Sequence, residues 1–159
     1  MKILVGYIPT PEGIAALDWA IAEARHENAS LIVLNTAKNG DYSDPQFATS
    51  ADIDALEKQL NEFKLSYEIR RPTDGKSAAE AMLEAEADAE ADLVVIGIRR
   101  RNPIGKLITG STAQAILLNA ECPVVGVKPS MRSTGRTQHD AATDVPTAWA
   151  ATQPGVEIE

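Results

Sequence analysis

KILVGYIPTPEGIAALDWAIAEARHE, Lys2 to Glu27, carries two periodicities joined by a short break, and that succession sets the fold. KILVGYI is an apolar, partly β-branched run of the kind that forms a strand buried on both faces. PTPEG, with two prolines and a glycine, interrupts it. Beyond the break Ile14, Leu17, Ile21 and Ala24 recur at steps of three and four, so the spacing predicts a helix from about Gly13 to Glu27 with one apolar face. Strand, turn and helix make one unit.

The unit recurs down the chain. SLIVLNTA (Ser30 to Ala37) repeats the buried-strand signature, and NGDYSDPQ supplies loop residues. Ile53, Leu56, Leu60 and Phe63 predict a second helix, with Thr49 or Ser50 as its N-cap. SYEIRRP (Ser66 to Pro72) alternates Tyr67 and Ile69 with polar residues and predicts a strand near the sheet edge. Ser77 and Glu80 have the spacing of a capping box, followed by an apolar stripe of Ala79, Met82, Leu83 and Ala87. DLVVIG (Asp92 to Gly97) is the fourth strand. Ala113, Ile116, Leu117 and Ala120 mark a short helix entered through Gly110, Ser111 and Thr112, and CPVVGVK (Cys122 to Lys128) is the fifth strand. Five alternating units predict a single α/β domain over residues 1–129, with a mainly parallel sheet and helices on both faces. Residues 130–159 lose all periodicity and read as a polar tail, in which Val145, Trp149, Val156 and Ile158 are candidates to dock on the domain or on a partner subunit.

Composition narrows the function. A chain of 159 residues that is 44% hydrophobic has material for one core of ordinary size. A net charge of -8 argues against a general nucleic-acid binder, which needs many cations to neutralise phosphates. A single cysteine excludes an intramolecular disulfide, no targeting segment precedes the first strand, and no apolar run approaches a membrane span. The expectation is a cytoplasmic globular protein, without nucleic-acid or membrane partners.

In open parallel sheets ligands bind outside the carboxyl ends of the strands, which singles out Tyr7 to Glu12, Asn35 to Gly40 and Gly97 to Gly110. The third loop reads GIRRRNPIGKLITGST, so an acidic chain gathers Arg99, Arg100, Arg101 and Lys106 in one glycine-bracketed segment before a helix. Backbone N–H groups at such a helix entry, with guanidinium forks beside them, suit phosphate oxygens. A Walker loop fails here, because Leu107 follows Gly105-Lys106 and Arg100 stands at the first glycine; a G-x-G-x-x-G fingerprint is absent after the first strand. The residues alone leave two alternatives, an anion site and an exposed basic loop that offsets the acidic helix from Glu80 to Asp92.

With these segments in place, residues 1–128 resemble the universal stress protein family in the order of units, LDWA in the first helix, DLVVIG, the GST helix entry and CPVVGVK. The family's nucleotide-binding branch carries G-x2-G-x9-G-[ST] after the fourth strand; here the spacing survives as Gly97, Arg100, Gly110 and Ser111, with arginine for the second glycine. The resemblance implies an adenine nucleotide alpha hydrolase-like, Rossmann-like fold that binds ATP, ADP or AMP without strong catalytic activity, a weak ATPase at most. It implies that Ile96, Gly97, Arg99, Arg100, Gly110, Ser111 and Thr112 surround ribose and phosphates and that Thr36 lies against adenine. It also implies a homodimer through Pro123 to Lys128, and a protein partner. Family members that bind ATP carry an aspartate at the end of the first strand and serine or threonine two residues on; the matching positions are Ile8 and Thr10. Thr10 keeps the hydroxyl, whereas Ile8 supplies no carboxylate for a ribose or for Mg2+. A second reading therefore stands beside the first: a dimeric interaction module of the same fold that has lost its nucleotide.

Other reactive residues have structural readings. Cys122 has no evident base nearby, His26 falls at a helix end and His139 in the tail, and Glu80, Glu84 and Asp88 form a solvated helix face. No Ser-His-Asp or paired-carboxylate arrangement stands out, and the balance leans away from an enzyme.

Overall fold

The computed structural model describes residues 1–36, 43, 47–99 and 110–130. They form β1 (Lys2–Gly6), α1 (Pro11–His26), β2 (Ser30–Leu34), α2 (Ser50–Glu62), β3 (Tyr67–Arg70), α3 (Ala78–Ala89), β4 (Leu93–Gly97), α4 (Ser111–Asn119) and β5 (Val124–Val127). The strands make one fully parallel sheet in the order β3-β2-β1-β4-β5. The chain thus winds outward from β1 in one direction to β3, then returns to β4 on its other side. This places the topological switch between β1 and β4.

Alternation along the strands feeds two cores. Ile3, Val5, Leu31, Val33, Leu93 and Val95 face α1 and α2, where they meet Ala16, Leu17, Ala20, Ile21, Leu56 and Leu60. Leu4, Ile32, Leu34, Val94 and Ile96 face α3 and α4, where they meet Ala81, Met82, Ala85, Ala89 and Ile116. Helices therefore cover both faces, as the five-unit pattern predicts. The central strands β1, β2 and β4 are buried almost throughout, whereas β3 is only half-buried, in keeping with its alternating sequence and its edge position.

The helix faces differ in detail from the sequence expectation. Ile14 is 47% exposed, and the residues of α1 that press on the sheet are Gly13, Ala16, Leu17, Ala20, Ile21 and Ala24. In α3, Ala87 is exposed and Leu83 only half-buried, while Ala81, Met82, Ala85 and Ala89 make the contact; in α4, Leu117 is exposed. The physical cause is close approach. A helix laid on a sheet through alanines sits nearer the strands, so small residues occupy the centre of the contact and larger ones flank it.

Three of the four helices are closed at their amino ends by a side chain. The Thr10 hydroxyl accepts a bond from the Gly13 N–H at 3.2 Å, with Pro11 preset for the first turn of α1. Thr49 with Asp52 and Ser77 with Glu80 form reciprocal capping boxes on α2 and α3. Thr49, one of the two expected caps, is the one used. At α4 the cap position is Gly110, and among the described residues no side chain caps the end.

Candidate functional site

A cleft of about 400 Å³ opens where β1 and β4 end. Its walls come from Gly6, Tyr7 and Ile8 after β1, Leu34 and Thr36 at the end of β2, and Ile96, Gly97, Ile98 and Arg99 at the end of β4. Gly110, Ser111, Thr112, Ala113 and Ile116 of the α4 entrance form another side, and Ala78 and Met82 of α3 complete it. Crossovers leaving β1 and β4 toward opposite faces hold their loops apart, so a crevice at this switch point follows from the topology.

Seven of the nine residues picked out from sequence line this cleft: Thr36, Ile96, Gly97, Arg99, Gly110, Ser111 and Thr112. Thr10 is placed differently; its hydroxyl caps α1, and the residue is buried. Arg100 lies outside the described residues, as do Arg101, Lys106, Lys38 to Gly40, His139 and the tail from Met131. Ile8, at the position where the resemblance expects an aspartate, is part of the wall.

Glu12, the last residue of the first loop singled out from sequence, is a carboxylate that was not among the nine chosen residues. It belongs to the first turn of α1 and lines the cleft opposite α4. Its Oε1 accepts bonds from the Arg99 Nε and lies 3.2 Å from a terminal guanidinium nitrogen; the Glu12 side chain is 14% exposed and that of Arg99 58%. Gly97 explains how the two meet. A Cβ on Gly97 would fall 2.4 Å from the Glu12 carbonyl oxygen and 3.1 Å from the Glu12 Cβ, so the glycine admits the first turn of α1 against the end of β4. Gly13 serves the same packing on the β1 side, since a Cβ there would fall 2.1 Å from the Ile8 carbonyl oxygen. The signal in the sequence was PEG after the first strand; its meaning needed the neighbouring strand.

A polar chain fixes the cleft floor. Asn35, fully buried after β2, donates from Nδ2 to the Tyr7 carbonyl at 2.9 Å and accepts at Oδ1 from Arg71 Nε at 3.3 Å. Arg71 also donates to the Ala48 carbonyl at 2.6 Å and stacks 4.5 Å from the Phe47 ring centroid. Removing Asn35 would leave buried partners unsatisfied, which makes it a positioning residue for the β1 loop. Burial, followed by the carboxylates of Asp52 and Asp18, pushes the Tyr7 phenol up, so Tyr7 stays neutral at physiological pH.

Below the cleft, Glu86 of α3 is 6% exposed and accepts the backbone N–H groups of Glu121 and Cys122 at 2.7 and 2.8 Å. It pins the turn that leads into β5. Burial and the Glu86 carboxylate raise the Cys122 thiol to about 11, which removes thiolate character and agrees with its structural reading. His26 pairs with Glu27 at 2.8 Å. Among the described residues, no group of histidine, cysteine, aspartate and glutamate is arranged to hold a metal ion, and no helix is long and apolar enough to cross a membrane.

The family model for the universal stress protein family matches residues 1–128, most of the chain. The chain belongs to the universal stress protein family. A universal stress protein of Mycolicibacterium smegmatis is 42% identical over 127 residues, which span 80% of this chain and 97% of that protein. Among solved structures, a universal stress protein from Archaeoglobus fulgidus is 26% identical, covers 80% of this chain and 98% of its own, and superposes with a TM-score of 0.60. A universal stress protein family protein from Arabidopsis thaliana, solved with AMP bound, shares the fold at a TM-score of 0.58 and 14% identity, covering 91% of this chain and 99% of its own. The α/β universal stress protein architecture and the parallel sheet expected from sequence are thus shown.

Proposed function

We propose that this universal stress protein is a stress-response regulator that binds an adenine nucleotide, without strong catalytic activity, in the cleft between β1 and β4. The observation that carries this reading is the composition of the cleft. It joins the open amino end of α4, the Arg99 guanidinium and the end of β2 in a space of about 400 Å³, at the lower end of the range for small-molecule sites. Phosphate would sit at Gly110, Ser111 and Thr112, where helix N–H groups and two hydroxyls converge. Thr36, Ile96 and Gly97 would face the nucleoside. AMP in the Arabidopsis structure supports the ligand class.

Thermal unfolding of the full chain with ATP, ADP or AMP in millimolar excess tests this. The expected result is a rise in Tm with at least one of them. No shift with any would overturn it.

Ile8 favours the second reading. An apolar side chain lines the cleft where the resemblance expects a carboxylate, so the same fold could serve as a nucleotide-free dimeric module that engages a protein partner. In either case β5 offers the means of dimerisation: it pairs only with β4 among the described strands, its valines are half-buried, and pairing with a second copy would cover that edge. Native mass measurement reads subunit number and retained nucleotide together; a nucleotide-free dimer with no thermal shift supports the second reading, and a monomer with no thermal shift removes both.

A further inference from the structure

We propose that Glu12 makes the cleft a charge filter, setting it to take a nucleoside monophosphate in preference to a polyphosphate; the inference rests on the nucleotide reading above. Among the described residues of the lining, Glu12 is the one carboxylate and Arg99 the one cation. They are already paired at 3.2 Å, so an incoming phosphate meets a guanidinium whose charge is offset. The two partners are unequal. Arg99 is mostly exposed and swings into solvent at little cost, whereas the Glu12 side chain is only 14% exposed and starts from a turn whose backbone and Cβ pack closely on Gly97. A ligand phosphate therefore draws Arg99 away more readily than it displaces Glu12.

The consequence is asymmetric. A single phosphate at the α4 entrance gains helix N–H groups and a share of Arg99. Further phosphates add negative charge inside a cleft that keeps its own carboxylate, where screening is weaker than in bulk solvent. ATP carries roughly two more negative charges than AMP at neutral pH, so the penalty falls on it selectively. Ile8 sharpens this, because it leaves Glu12 as the sole described carboxylate and places no acidic ligand for a divalent ion at the end of β1.

The test is calorimetric titration of the full chain with adenosine, AMP and ATP in buffer free of divalent ions, using the wild type, Glu12→Gln and Arg99→Gln. The wild type should bind AMP about tenfold more tightly than ATP, a preference that shrinks as salt rises. Glu12→Gln, which keeps the shape and a hydrogen-bond acceptor for Arg99, should strengthen ATP binding about tenfold and leave adenosine unchanged. Arg99→Gln should weaken both nucleotides. A Glu12→Gln protein that loses AMP and ATP alike would show that Glu12 only positions Arg99, and an unchanged ratio of the two affinities would overturn the filter while leaving nucleotide binding intact. Absence of binding by all three proteins would overturn the nucleotide reading itself.

Discussion

The entrances of α1 and α4 stand on the same rim of the sheet, on opposite sides of the cleft, and they treat their backbone donors in opposite ways. At α1 the chain satisfies itself: Thr10 takes the Gly13 N–H, the Ile14 N–H bonds the Thr10 carbonyl, and Gly13 lets the turn lie against Ile8. At α4, Gly110 offers no side chain, and a Cβ there would meet nothing within 4 Å among the described residues. Among the described residues, one entrance is closed by packing and by a side-chain cap, and the other has neither. The difference teaches that a parallel sheet raises several helix amino ends to one rim, and local capping decides which of them can face a ligand.

Substitutions at the two glycines should separate the entrances most strongly. Gly13→Ala forces a methyl into the Ile8 carbonyl and should cost about 3 kcal/mol or more of unfolding free energy, measured by urea denaturation. Gly110→Ala, with open space and an ordinary φ of -54°, should change stability by less than about 0.5 kcal/mol. Equal losses at the two positions would erase the contrast. Thr10→Ala removes only the cap and should cost about 1 kcal/mol by the same measurement.

Acid should sharpen the comparison further. The Thr49 backbone N–H and hydroxyl hold the Asp52 carboxyl below its ordinary value, and the Ser77 backbone N–H and hydroxyl do the same for Glu80. A carboxyl lowered in the folded state stabilises above its unfolded pKa and loses that contribution as pH falls through the folded value. Stability should therefore decline below about pH 4 through α2 and α3, while the entrance of α4, which has no such carboxylate, contributes nothing to the slope. Circular dichroism across that range should show a flatter decline in Asp52→Asn/Glu80→Gln than in the wild type; identical profiles would discard the assignment. The smallest stability effect is expected at Gly110→Asp, which adds the missing cap and gains a few tenths of a kcal/mol. The same change places a carboxylate over the open N–H groups, so AMP affinity should fall about tenfold on titration.

Legibility followed the same division. The five units could be read directly because four strands are runs of large apolar residues and β3 alternates Tyr67 and Ile69 with polar residues, patterns whose meaning does not depend on their neighbours. Thr49 and the Ser77–Glu80 box were legible because caps are local. The helix faces were less so: size drew attention to Ile14, Leu83 and Leu117, whereas contact distance with the sheet favours Ala16, Ala20 and Ala85. Within the cleft, the loops after β1, β2 and β4 follow from a rule about parallel sheets, and seven chosen residues line it. Met82 did not follow from any such rule, and Glu12, the last residue of the first loop, was within its reach but not among the chosen residues. Each reaches the cleft because two segments distant in sequence pack together, Glu12 over Gly97 at the end of β4 and Met82 through α3 against the sheet. Thr10 shows the converse, a hydroxyl that the resemblance assigns to the nucleotide and whose observed bond is to Gly13.

Glu86 has a different kind of consequence. Its two main-chain bonds reach N–H groups that every residue but proline supplies, so that part of what it holds at Glu121 and Cys122 does not depend on the side chains there. A turn randomised at those two positions would keep β5 in register with β4 so long as neither became proline, while any loss at Glu86 would release them both at once. The strap is thus written on one helix and blind to the text of the turn it fastens.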